Sequence, residues 1–299
     1  MKEKFIDHKF NAASLALIET ANSILDEYDR QGYRLSLRQL YYQLVARDYI
    51  ENTVKSYKRI GNLVSDARLA GLLDWNMIED RNRETVLPNE WESPAEIVHA
   101  AASQFRVDRW MGQPCHVEVM VEKDALSGIL GPVCQDLHVR FTANKGYSSS
   151  SAMYEAGKRI ADMRFNHDRE IHVFYLGDHD PSGIDMTRDI RERLALFSET
   201  MKIEIHRLAL NYDQVEQWKP PENPAKETDS RYAAYAEEFG ESSWELDAVE
   251  PRTLAELVRE GITDLIDQEQ WDDVMQEEKR MRDGLQRFAD DYENREDGE

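Results

Sequence analysis

Cysteine is scarce. Cys115 and Cys134 are the only two in 299 residues. Their spacing matches no Cys-x-x-Cys or Cys/His ligand pattern, which excludes a disulfide scaffold and a thiolate zinc module. Two buried thiols in a reducing compartment is the reading that remains. No apolar run approaches the roughly 20 residues of a membrane span. Residues Met1 to His8 carry neither an apolar core nor a small-residue cleavage site, so a cytoplasmic location is expected. A Gly-rich phosphate loop of the Walker type is absent, which leaves a small-molecule phosphotransferase with little support and an ATPase module with none. There is no internal repeat. Positive charge is also short: 37 Lys and Arg face 59 Asp and Glu, a net charge of −22.

That balance argues against a protein that coats nucleic acid, but distribution matters more than the sum. From Arg34 to Arg83 the bases outnumber the acids, while acid gathers after Glu222 and above all from Asp264 to Glu299. A locally basic face on an acidic protein binds DNA with steep salt sensitivity.

The first 94 residues read as helices. Ala12, Leu15, Ile18, Ala21, Leu25 and Tyr28 recur at helical spacing, and Gln31-Gly32 ends the run. Ser36 and Gln39 form a capping-box pattern ahead of a helix that runs to about Arg47. Thr53 caps a third helix, from Val54 to Leu69, with Lys55, Lys58, Arg59 and Arg68 set against Ile60, Leu63 and Val64. A strand is expected over Leu72 to Ile78. Two readings fit this pattern: a winged helix offering its third helix to a DNA groove, and a helical bundle with a solvated charged face. Residues 95–113 form a connecting helix expected to reach Trp110, after a linker over Pro88 to Pro94.

From residue 114 to 265 the pattern changes to alternation of strand and helix, which implies parallel pairing with right-handed crossovers. The expected strands are Cys115 to Val121, Val139 to Ala143, Ile171 to Leu176 and Lys202 to Leu210. The helices between them are Ala125 to Leu137, interrupted at Gly131-Pro132, Ala152 to Phe165, and Ile184 to Phe197. The fold class expected is therefore α/β, with a Rossmann-like, mostly parallel sheet behind a helical module. After Leu210 the chain reads as irregular. Residues 266–299 form an acidic helix and tail, with partial disorder expected from Arg280 onward.

Two of these strands run straight into acid. Glu122 ends the first; Asp178 and Asp180 end the third. In an open parallel sheet the carboxyl ends of the strands face the ligand crevice. Carboxylates converging there repel one another unless a cation lies between them, and oxygen ligands alone favour magnesium, or manganese, over zinc. Each acid has a plainer role available: Asp180 before Pro181 as a helix N-cap, Asp178 as a polar strand end, Glu122 as a partner of Lys123. Lys123 and Lys145 beside them are candidate phosphate contacts. His179 lies between two acids in an extended segment and is expected to point away from them. Asp185, a turn into the following helix, would orient a ligand or favour the helix N-terminus.

Glu122-Lys123, with Asp178-His179-Asp180-Pro181-Ser182-Gly183, resembles the Toprim domain of topoisomerases, primases and some nucleases. The fuller set adds Val121, Asp124-Ala125, Lys145-Gly146-Tyr147 and Ile184-Asp185. It is similar to the A subunit of topoisomerase VI and its relative, the meiotic double-strand-break transesterase. The resemblance covers roughly residues 33 to 265. Leu37-Arg38-Gln39-Leu40-Tyr41-Tyr42 resembles the family's string ahead of Toprim, whose last Tyr attacks DNA. It implies a winged helix followed by Toprim, Tyr42 as nucleophile with Arg38 one turn away, and a magnesium ion on Glu122, Asp178 and Asp180. It also implies a homodimer acting on double-stranded DNA by a type IIB topoisomerase-like cut, in which Tyr42 of one subunit meets the metal of the other, with a separate ATPase subunit for strand passage. Trp244-Glu245-Leu246-Asp247-Ala248 resembles the family's element that packs back on Toprim. Gln39 departs from the pattern, standing where the family has Asp or Glu. Two rival functions follow from the same residues: a Toprim nuclease in which the metal activates water and Tyr42 is a packed helix aromatic, and a non-catalytic DNA-binding protein.

Overall fold

Asn11, Ser36 and Thr53 each accept a hydrogen bond from the backbone N–H three residues on, and each begins a helix. A computed structural model describes residues 2–79, 90–144 and 150–296. The first helix, α1, spans Ala12–Asp29. Strand β1 is Leu35–Ser36, α2 is Leu37–Ala46, and α3 is Val54–Leu69. Both halves of the Ser36–Gln39 capping box form: Ser36 N–H donates to Gln39 Oε1 at 2.8 Å, and Gln39 N–H to Ser36 Oγ at 3.3 Å. The apolar stripes of the three helices, with Ile24, Tyr28, Leu40, Leu44, Ile60 and Val64 at the centre, close on one another as a separate core.

Leu72 to Ile78 does not form the expected strand. Asp74 caps a 3-10 turn over Trp75–Met77, and only Ile78–Glu79 remain as β2, paired parallel with β1. The cause is local. Asp74 accepts from Asn76 N–H, and the Arg68 guanidinium donates to the carbonyls of Trp75 and Ile78, each at 2.9 Å. The start of the expected linker, at Pro88, lies outside the described residues.

Ser93 caps α4, Pro94–Gln104, which ends six residues short of Trp110. Beyond Gln104 other partners hold the chain: Val107 N–H donates to Glu278 Oε2, and the Trp110 indole N–H donates to the Leu137 carbonyl. The sheet follows. Its elements are β3 Cys115–Val121, α5 Ser127–Asp136, β4 Arg140–Ala143, α6 Ser150–Phe165, β5 Glu170–Leu176, α7 Pro181–Ser198 and β6 Glu204–Ala209. Pro132 does not interrupt α5. It removes one hydrogen bond in the middle of the helix, and burial of Ile129, Leu130, Val133 and Cys134 around it offsets the loss.

The strands are all parallel, in the order β4-β3-β5-β6. Val117, Val119 and Val121 face one core together with Ile129, Leu130 and Val133 of α5. Met120, Val173 and Tyr175 face the other, against Ile160 of α6 and Ile190 and Leu194 of α7. Every residue of β3 is buried, as a strand covered on both faces should be. This is the α/β arrangement expected.

The chain after Leu210 is more regular than expected. It forms α8 Tyr212–Trp218, β7 Glu222–Pro224, α9 Tyr232–Phe239 and β8 Ser242–Trp244. Helix α10 is Pro251–Thr263, and its Leu254, Val258 and Ile262 join the core over β3. The tail is helical as far as Glu296, as α11, Gln268–Glu296. Disorder from Arg280 onward is therefore corrected. Helix α11 packs along α4, and Glu278, buried within it, accepts from Arg109 at 3.0 Å. Among the described residues no helix is long and apolar enough to cross a membrane.

Candidate active site

The connection after β3 leads outward to β4, and the connection after β5 leads the other way to β6. The carboxyl ends of β3 and β5 therefore flank the switch point of the sheet, where such folds open a crevice. Glu122 follows β3 directly, and Asp178 lies two residues beyond β5. Asp178 N–H donates to Glu122 Oε2 at 2.9 Å, and the Tyr175 hydroxyl donates to the same oxygen at 3.2 Å. Arg207 of β6 fixes the turn from beneath, donating to the carbonyls of Asp178, at 2.6 Å, and Gly183, at 2.8 Å.

Two glycines make this approach possible. A Cβ on Gly177 would collide with the Tyr175 hydroxyl and Glu122 Oε2, and one on Gly183 would overlap the Asp178 carbonyl. Gly183→Ala is expected to lower stability by about 1–3 kcal/mol through this overlap. Urea denaturation checks it, and an unchanged midpoint would show that α7 can shift without loss.

Asp180 takes its plainer role. Its Oδ1 accepts from Gly183 N–H at 2.6 Å and from the Ser182 hydroxyl at 2.9 Å, capping α7. Asp185 is turned outward, held by Arg188 and Arg231. His179 points away from the acids, as expected. It is 1% exposed among the rings of Tyr212, Tyr235, Phe239 and Trp244. Burial, with Arg207 nearby, lowers its pKa to about 4.

Sequence reasoning did not assign Glu245 and Asp247 to the site. His179 and Trp244 exchange backbone hydrogen bonds at 2.9 Å, which draws the segment after β8 across the acid edge. Leu246 N–H then donates to Asp178 Oδ1 at 2.7 Å. Lys123 lies in the middle, 2.9 Å from Asp178 Oδ2, 3.1 Å from Asp247 Oδ1, and bonded to Glu245. Burial opposes its charge, but Asp247 and then Asp178 outweigh burial and raise its pKa. Lys123 is thus an internal partner rather than a surface phosphate contact. The signal available in sequence was the likeness of Trp244 to Ala248 to an element that packs back on the sheet; which of its acids turn inward was not readable.

Arg38 reaches the same cluster from α2. Its guanidinium is 2.7 Å from Glu245 and 3.1 Å from Asp247 Oδ2, and it lies 5.8 Å from the centre of the Tyr42 ring. Tyr42 is itself 4% exposed. It lines a cleft of about 430 Å³ with Arg38, Asn52, Tyr57, Asn223 and Glu245. Gln39 is buried, with Oε1 committed to the capping box and Nε2 without a hydrogen-bond partner among the described residues. Of the basic residues on α3, Lys55, Lys58 and Arg59 are exposed, whereas Arg68 is turned onto Trp75. Lys145 lies outside the described residues.

The charge balance bears on metal binding. Glu122, Asp178, Asp180, Glu245 and Asp247 gather against Lys123, Arg38 and Arg207. Burial, and after it the charges of Asp178 and Asp180, raise Glu122 to about 7, and burial raises Asp178 as well. An oxygen-only set with surplus negative charge fits a hard divalent ion. In this conformation Asp178 Oδ2 belongs to Lys123 and Asp180 Oδ1 to the helix cap, and Glu122, Asp178 and Asp180 do not bring one oxygen each within 4.8 Å of the others, so an ion on all three requires these side chains to move.

Glu122 binds a proton more tightly folded than unfolded, where its pKa is near 4.5. Its contribution is therefore complete below pH 4.5 and is lost as pH rises through about 7. Without divalent metal, stability is expected to fall across that window, by on the order of 2–3 kcal/mol. Glu122→Gln should flatten the profile, as measured by denaturant unfolding in chelator. An equally steep profile in the variant would assign the slope to another group.

No protein-family model matches the chain, and no curated protein sequence matches it. Assignment of function therefore rests on the chemistry of the site.

Proposed function

We propose that the chain is a DNA-cleaving transesterase of the topoisomerase VI A type, a winged helix followed by Toprim, acting on double-stranded DNA as a homodimer. One observation carries this reading. Arg38, beside Tyr42, is ion-paired to Glu245 and Asp247, and both of these also hold Lys123, which holds Asp178. The two motif blocks, far apart in sequence, are thus joined by one polar network, of which Arg38 and Glu245 line the Tyr42 cleft.

In this mechanism the Tyr42 oxygen attacks a backbone phosphorus. A Tyr–O–P bond forms, the P–O3′ bond breaks, and the phenol proton passes to the departing 3′ oxygen. The product is a 5′-phosphotyrosyl link and a free 3′ hydroxyl. Arg38 stabilises the phenolate and the charged transition state. Burial opposes its own charge, but Asp247 and then Tyr42 outweigh burial, so the guanidinium stays charged. A magnesium ion on Glu122, Asp178 and Asp180 would neutralise charge at the phosphate when bound. Lys55, Lys58 and Arg59 supply phosphate contacts along α3, and strand passage needs a separate ATPase subunit.

The burial of Tyr42 favours a second reading, hydrolysis by a metal-activated water at the same acids. Supercoiled plasmid with protein and magnesium, stopped with denaturant, separates the two. Transesterase products enter the gel only after protease treatment, whereas a nuclease leaves protein-free ends.

A further inference from the structure

The other end of the sheet carries a second cluster, of different chemistry. Strand β6 is an edge strand, and its register sets Glu204 opposite His172 and His206 opposite Phe174. Alternation puts His172, Glu204 and His206 on one face. His172 Nδ1 lies 3.0 Å from His206 Nε2. Glu204 Oε2 lies 3.6 Å from the first nitrogen and 3.7 Å from the second. Among the described residues this is the one group of three His, Cys, Asp or Glu side chains with all ligand atoms within 4.8 Å of one another.

The geometry points to a site for a zinc-type divalent ion, held by His172 Nδ1, His206 Nε2 and Glu204 Oε2. An ion with ligand bonds of about 2.1 Å in tetrahedral array separates its ligands by about 3.4 Å, and the three distances bracket that value. Two imidazoles and one carboxylate select zinc or cobalt over magnesium. Glu170 Oε2 lies 3.9 Å from His172 Nε2, on the side where a ligating histidine commonly has a carboxylate partner. His206 is 39% exposed and Glu204 67% exposed, so the fourth position opens to solvent for water or a further ligand. His172 lies six residues before Asp178, roughly 20 Å along the strand, so this ion is separate from any at the acid edge. It ties the edge strand to β5 and is independent of the DNA-cleavage reading.

The test uses the full chain stripped with chelator, then dialysed against limiting Zn²⁺ with Mg²⁺ in excess. His206→Ala and Glu204→Gln are suitable variants because both side chains are solvent-facing, and circular dichroism checks that each still folds. One zinc per chain is expected on the wild type, none on His206→Ala, and at least tenfold weaker retention on Glu204→Gln. Zinc should raise the wild-type Tm and leave that of His206→Ala unchanged. Cobalt in its place should give the visible absorption of a tetrahedral centre. A wild type that holds no zinc, a His206→Ala protein that holds as much, or a Glu204→Gln protein of unchanged affinity would each overturn the assignment.

Discussion

Tyr42→Phe is expected to abolish covalent attachment to DNA and to reduce cleavage by a factor of roughly 10³ or more, because the attacking atom is removed. The substitution deletes one oxygen and keeps the ring that packs on Tyr41 and under Arg38. The fold should therefore survive, and circular dichroism will show whether it does. Tyr41→Phe is the matched control. The Tyr41 hydroxyl donates to Asn52 Oδ1 at 2.9 Å and to the Thr53 carbonyl at 3.2 Å, so its loss should cost about 1 kcal/mol of stability and leave cleavage intact. A Tyr42→Phe protein that still cuts, with ends free of protein, would transfer the chemistry to a metal-bound water and leave Tyr42 a packed aromatic.

The second large effect concerns Lys123. Removing one partner of a buried ion pair leaves the other charge unpaired, at about 3–5 kcal/mol. Here one ammonium serves Asp178, Asp247 and Glu245 together. Lys123→Met is expected to destabilise the fold by at least that amount in chelator, measured by urea denaturation at pH 8. Magnesium should restore part of the loss, because a divalent ion can take the place of the missing charge between the carboxylates. Calorimetry should then show tighter magnesium binding than in the wild type. A variant that loses under 1 kcal/mol and ignores magnesium would mean that solvent already balances these acids.

Much of the fold was legible because its signals are local. Asn11, Ser36 and Thr53 cap helices, and the parallel strands β3 and β5 are rich in β-branched or aromatic residues. The misreadings came from side-chain contacts, local in one case and long-range in the other. Leu72 to Ile78 has strand composition, but Arg68 grips its carbonyls and Asp74 caps a turn in it. The tail has the composition of a disordered segment, yet α11 lies along α4 and is tied to Arg109 through Glu278. The acids at the strand ends stood out because a strand end fixes direction. Glu245 and Asp247 did not, since only the pairing of His179 with Trp244 brings their loop to the acid edge. The cluster of His172, Glu204 and His206 was likewise invisible, because it depends on the register between two strands.

The measurement that bears most directly on the central claim is the mass of the protein–DNA product. Protein incubated with plasmid and magnesium, stopped in denaturant, digested with nuclease and then with trypsin, should yield the peptide that contains Tyr42 heavier by a nucleotide 5′-phosphate. Unmodified peptide alongside cut DNA bearing ordinary, protein-free termini would contradict the account.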